Sequence, residues 1–300
     1  MRHRRTIEYI SETGLTAHLG VTGPFFLTDA PTDTVDSAAQ VVRSPGRDGA
    51  RTYHVTRGQR RVTLRGSVVA LGNREIPNQA VLDQHRQRLC AVFDPKHFGT
   101  LIYHAAAGDY RLSRCRTVGT PVFGPRFENY VPFSVEIISD DALWAEDKER
   151  VSKLGALYNN LRFPWFLPDT GTPLSIVYAE ARVTNPTPEA VYPLVEVYDT
   201  SGAFVNVLNE TTGVRFNIGR AVGTDQKLVI DCAESAVWLY EQMADGKWVR
   251  AGNALNWLSL DSDLTAFTVE PGENVFNINE DIPDEQPVMI LRWRVPVMGV

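Results

Sequence analysis

The chain has little of what marks a cross-linked scaffold, a membrane protein or an enzyme of a familiar class. Its 300 residues hold three cysteines, Cys90, Cys115 and Cys232. They form no CxxC pair, and an odd count disfavours a disulfide framework. No apolar run approaches the ~18 residues of a membrane span. The basic start Met1-Arg2-His3-Arg4-Arg5 leads into Thr6-Ile7-Glu8-Tyr9 rather than the apolar core of a signal peptide, so neither membrane insertion nor secretion by that route is expected. GxSxG, HExxH, a P-loop and GxGxxG are all missing. No catalytic residue and no cofactor are therefore assigned. His85, Cys90, His97, His104 and Cys115 carry zinc-type ligand atoms, but their spacing suits buried thiols and surface imidazoles, and no metal site is expected.

What is present fits a compact globular chain, with 43% hydrophobic, 22% charged and 10% aromatic residues. Its length favours two domains or one large β-domain with an appendage. The net charge of -6 hides a division: residues 1–140 balance at +5 and residues 141–300 at -11, and all six histidines lie in the first half. That asymmetry supports a boundary near residues 140–170.

β-patterns run through most of the chain. Thr6–Ile10 and Leu15–Val21 suit a first hairpin, and the Pro-, Asp- and Thr-rich stretch from Pro31 to Asp36 suits a loop or an extended arm. Val81, Leu82, His85, Leu89, Val92 and Phe93 recur at helical spacing, so one helix is expected over 78–93, stopped by Asp94-Pro95. Strands are expected at Leu101–His104, Tyr110–Thr117 and Tyr130–Ile138, the last with Pro132 at an edge or a bulge. Asp140 to Arg150 is a charge-rich transition, and the aromatic stretch Leu157–Leu167 should dock on a domain or a neighbouring subunit. From Pro173 onward short runs recur, among them Val191–Tyr198, Val214–Ile218, Lys227–Asp231, Val237–Tyr240, Thr265–Val269, Val275–Asn279 and Val288–Val295. Turn signals separate them, which suits a β-sandwich.

The stretch from Ser44 to Gly66 is the most specific. Ser44-Pro45-Gly46-Arg47 suits a type II turn and Asp48-Gly49 a second turn. Thr52–Arg57 and Arg61–Ala70 are β-prone, and the Arg57-Gly58-Gln59-Arg60 link is short enough to join them as a hairpin. Val62, Leu64, Gly66 and Val68 share one face, Arg61, Thr63, Arg65 and Ser67 the other. Together with the helix ending at Leu89 and Phe93 and the run Gly99-Thr100-Leu101-Ile102-Tyr103, this block resembles the distal tail protein family of long-tailed, non-contractile phages. Pro45, Gly46, Arg47, Asp48, Gly49, Leu64, Arg65, Gly66 and Leu89 carry the likeness. In the second half Lys227–Asp231, the turn Pro271-Gly272-Glu273-Asn274 and a last strand with Trp293 are similar to the family's C-terminal domain.

The resemblance implies a mainly β chain: an N-terminal ring-forming, tail-tube-like β-domain with one helix (1–150), a linker or docking segment (151–172) and a C-terminal galectin-like β-sandwich (173–300). It implies a structural virion protein and not an enzyme, made in the host cytoplasm and placed at the tail tip. Six copies would close a ring joining the tail tube to the tip or baseplate. At about four strands per copy and ~4.8 Å per strand, the barrel would have a backbone diameter of roughly 37 Å, wide enough to pass duplex DNA without specific binding. The implied partners are the tail tube protein, the tail-tip hub or tail-associated protein, the tape measure protein and receptor-binding proteins. Arg57, Arg60, Arg61 and Arg65 suit phosphate contacts, but the acidic whole and the absence of a recognition helix favour a solvated face or a subunit interface, with Arg57, Arg60 and Arg61 as interface candidates. Two other classes stay open. A carbohydrate-binding adhesin would use Trp238, Trp248 and Trp257 as glycan contacts; a glycan hydrolase would need a carboxylate pair such as Glu234 with Glu241 or Glu270 with Glu273. Asn209-Glu210-Thr211 matches a glycosylation sequon.

Overall fold

The computed structural model describes residues 6–43, 48–70, 78–154, 157–158, 176–177, 180–200, 205–278 and 289–300. The chain divides into two compact units, residues 1–147 with 297–300 and residues 148–296.

The first unit is one antiparallel sheet backed by a helix. Its strands are β1 (Thr6–Ser11), β2 (Thr16–Leu19), β3 (Phe25–Leu27), β4 (Thr32–Val42), β5 (Arg51–Val69), β6 (Gly99–His104), β7 (Asp109–Thr117), β8 (Val122–Phe123), β9 (Tyr130–Ser139) and β10 (Trp144–Glu146). The main path runs β2-β1-β6-β7-β9-β5-β3, with β4 on β5, β8 on β9 and β10 on β7. Period-two sequence drives this arrangement: in β9, Val131, Phe133, Val135 and Ile137 point into the core. Helix α1 (Asn78–Val92) buries Leu82, Leu89 and Val92 against that core, continued by Phe93, whose ring lies 4.6 Å from Tyr9. Asp94-Pro95 ends the helix, and the Thr117 hydroxyl donates to the Phe93 carbonyl at 3.1 Å.

Two expectations are corrected in this unit. Arg57–Arg60 is no turn, because β5 runs unbroken through it and the hairpin partner is β4. The register slips between Val35 and Ser37, so Gly58 and Gln59 together oppose Asp36. A glycine inside a strand here marks a bulge rather than a loop. Pro132 is neither at an edge nor at a bulge, since this end of β9 lies between β5 and β8 and Pro132 stands opposite Ser67. Its carbonyl accepts from the Gly124 N–H at 2.9 Å. A strand residue points its nitrogen the same way as its oxygen, so the missing N–H faces Gly124 and costs the β5 ladder nothing.

The second unit packs two antiparallel sheets on a shared core. One sheet contains β11 (Arg150–Leu154), β15 (Leu194–Val197), β18 (Gln226–Asp231), β19 (Ala236–Gln242), β20 (Trp248–Asn253) and β22 (Met289–Trp293) in the order β11-β22-β15-β18-β19-β20. The other contains β14 (Glu180–Asn185), β16 (Val205–Asn209), β17 (Val214–Ile218) and β21 (Gly272–Ile278) in the order β14-β21-β16-β17. A separate two-stranded pair joins β12 (Leu157–Tyr158) to β13 (Ile176–Val177). Phe216, Phe267 and Phe276 pack in edge-on and tilted contacts through the core at centroid distances of 4.8 and 5.6 Å. Residues 265–269 form no strand: only Val269 bridges, to Val191. Buried asparagines take the place of a ladder partner, Asn209 donating to the Thr268 carbonyl at 2.8 Å and Asn185 to the Val269 carbonyl at 3.0 Å. Asn209 is therefore fully buried with its amide nitrogen engaged, and the sequon it heads is closed to a glycan in the folded chain.

Candidate assembly and binding surfaces

The longest hairpin of the first unit projects beyond its sheet. β5 pairs with β9 only from Arg60 onward, so among the described residues, 51–59 have β4 as their single neighbour. Every residue of 36–42 and 51–59 is exposed, on both faces of the ribbon. Exposed with them are Tyr53 (67%), Val55 (56%), Val41 (50%) and Val42 (46%). A two-stranded ribbon is marginally stable alone. Open edges and exposed β-branched and aromatic side chains invite strand pairing with another chain.

The root of this arm is clamped. Arg60 is buried (2% exposed) and donates to the carbonyls of Ala142 at 2.8 Å and Met298 at 2.9 Å, and to the Asp33 carboxylate. The Trp144 indole N–H donates to the same Asp33 oxygen at 2.8 Å. Arg61 spans Asp36 at 3.4 Å and Glu136 at 3.2 Å across three strands, and both carboxylates hold its pKa above the usual value. Arg60 thus serves the interior of its own chain, a correction to its place among the interface candidates. No signal in the sequence marks this role, because two of its three acceptors are backbone carbonyls far along the chain. Arg57 is exposed on the arm opposite Ser37.

The motif residues fall in several places. Pro45, Gly46 and Arg47 lie outside the described residues, as does most of the 151–172 segment. Asp48 and Gly49 follow in a bend, Gly49 with a φ of 96° that favours glycine. Leu64 and Leu89 are core residues. Arg65 is exposed, and its carbonyl accepts from the Thr28 N–H at 3.0 Å. Gly66 sits where β3, β5 and β9 meet, and an added Cβ would come within 2.8 Å of the Phe133 ring. Of the thiols, Cys115 and Cys232 are buried and Cys90 half-buried; burial pushes the Cys115 pKa up to about 12.

In the second unit Trp238 and Trp248 share the outer face of the six-stranded sheet, whereas Trp257 lies in a short 3-10 turn (Leu255–Trp257) bonded to Gly219 beyond β17. The glycan candidates therefore split in two groups. On the same outer face Lys227 pairs with Glu196 at 3.2 Å, and its ammonium lies 5.2–5.6 Å from the ring centroids of Trp248, Tyr240 and Tyr198. Arg292 extends the chain of charges, 3.0 Å from Glu196 and 3.2 Å from Glu149. Burial works against ionisation of Glu196, but hydrogen bonds from Arg292 and Tyr198 and the charge of Lys227 hold its pKa below the usual value. A lowered carboxylate pKa contributes stability above the ordinary value of about 4.3, and that stability is lost as pH falls through the folded value. Amide protection in β15, β18 and β22, taken relative to the intrinsic exchange rate at each pH, is expected to fall more between pH 6 and pH 3 than in a Glu196→Gln chain, which loses this acid dependence.

No protein-family model and no curated protein matches the sequence. Solved structures do. The SPP1 Dit protein, described as a paradigm of the hub adsorption apparatus in phages infecting Gram-positive bacteria, superposes with a TM-score of 0.62 at 10% identity, covering 97% of this chain and 99% of that one. A chain of the phage P2 baseplate in its activated conformation with calcium superposes with a TM-score of 0.57 at 11% identity, covering 99% of each chain. At such identities the likeness is one of fold, and the fold of these phage hub and baseplate proteins extends over nearly the whole chain.

Proposed function

We propose that this chain is a structural protein of a long non-contractile phage tail, a distal-tail-type hub whose first unit closes with five further copies into a ring between the tail tube and the tip. The observation that carries this reading is the β4–β5 arm, exposed on both faces and open at both edges, on a fold shared end to end with phage hub proteins. A ring of identical subunits needs a heterologous contact in which one element reaches the next copy. The arm supplies one, with unpaired backbone groups for strand addition and Val41, Val42, Tyr53 and Val55 to be buried. DNA would pass through the bore without being held, and the tail tube protein, the tip hub, the tape measure protein and receptor-binding proteins would be its neighbours. The second unit, as a galectin-like sandwich, would face outward as a docking surface; residues 151–172 would serve as the linker or docking segment.

A Tyr53→Ser, Val55→Asp double variant tests this reading. Both side chains are exposed in the single chain, so the melting temperature of the protomer is expected to shift little. Sedimentation should show the ring of the parent replaced by protomers, because a charge at a buried interface costs several kcal/mol. Unchanged assembly in the double variant would remove the arm from the contact.

A further inference from the structure

We propose that the outer face of β19 and β20 is a binding site for an anionic saccharide, one bearing a carboxylate or a phosphate. β20 is the edge strand of its sheet. Val237 and Leu239 face the core, so Trp238 and Tyr240 face outward, and Trp248 and Arg250 stand beside them on β20. Tyr240 is directly opposite Arg250, and the Arg250 guanidinium lies 3.1 Å from the centroid of the Trp238 ring. The four side chains form one continuous patch.

Two features make this a ligand surface rather than an ordinary solvated sheet face. The patch gathers three aromatic side chains on a solvent-facing strand surface, and Trp238, Tyr240 and Trp248 stay partly exposed. Tyr240 and Trp248 are propped by the Lys227 ammonium, 5.5 and 5.2 Å from their ring centroids, and the Lys227–Glu196 side chains retain only 13% and 11% of their exposure, so this part of the platform is preorganised. The donors, moreover, are unspent. Arg250 makes no ion pair and no hydrogen bond among the described residues, and neither indole N–H of Trp238 and Trp248 nor the Tyr240 hydroxyl has a protein acceptor there.

An aromatic surface stacks on the apolar face of a sugar ring, and the Arg250 guanidinium lying over Trp238 offers a fork to one carboxylate or phosphate. Residues 141–300 balance at -11. That surrounding charge disfavours a nucleic acid or another polyanion, whereas a single fixed cation suits a single anionic group on an otherwise neutral glycan. Arg250, Trp238, Tyr240 and Trp248 belong to the second unit alone, so this inference stands apart from the ring reading.

Calorimetric titration of the full chain with trigalacturonate, with a mannose 6-phosphate disaccharide and with neutral galactotriose reads the outcome. Binding of at least one anionic probe is expected, with galactotriose about tenfold weaker or more. Preference for trigalacturonate identifies a carboxylate ligand, and preference for the phosphorylated disaccharide a phosphate ligand. Arg250→Gln should bring the anionic probe down to the level of galactotriose. Trp238→Ala should abolish binding, and Trp238→Phe should retain part of it, which separates stacking from misfolding. Absence of heat with both anionic probes, equal affinity for galactotriose, or undiminished binding in Arg250→Gln would overturn the proposal.

Discussion

Arg60→Ala is expected to destabilise the first unit by about 3 to 5 kcal/mol, the range for removing one partner of a buried ion pair. The side chain is 3% exposed and holds three acceptors at once. Its loss leaves Asp33 with the Trp144 indole alone, and two carbonyls without their donor. Lysine cannot restore this, because one ammonium lacks the planar fork that reaches Asp33, Ala142 and Met298 together. Arg61→Ala, one residue along, removes only exposed ion pairs and is expected to leave stability little changed. Hydrogen exchange of β5 and β9 measures the contrast, and equal protection in the two variants would refute it.

Gly66→Ala is expected to cost on the order of 3 kcal/mol, the upper range for overpacking. The new methyl group would collide with the Phe26 carbonyl on one side and the Phe133 ring on the other, and neither can yield freely, one being backbone and the other 4% exposed. Separation of β3 from β5 is the cheapest relief, so protection of the Phe26 and Thr28 amides, which face β5, should fall first. Gly119→Ala, where nothing lies within 4 Å of the added Cβ, is the control and should leave stability unchanged within about 0.5 kcal/mol.

Local periodicity was legible where one face of an element packs. Tyr130–Ser139 alternates residue by residue, and Val81, Leu82, Leu89 and Val92 mark the buried side of α1. The later part of β4 was not legible for the same reason: with both faces in solvent, residues 36–42 carry no alternation to reveal a strand. Gly58 read as a turn because glycine serves turns and bulges alike, and only the register opposite Asp36 distinguishes them. Thr265–Val269 looked like a strand by composition, but the deciding groups are Asn185 and Asn209, distant side chains that bind its carbonyls. The outward clustering of Trp238 and Trp248 without Trp257 depends on strand pairing, which the tryptophan count alone does not contain.

The mass of the purified full chain under native conditions, with negative-stain images of the same sample, tests the ring reading most directly. The expected result is a particle six times the 33.5 kDa of one chain, seen as rings with sixfold symmetry. A chain that stays monomeric at high concentration, or closes with a number of copies other than six, would contradict it.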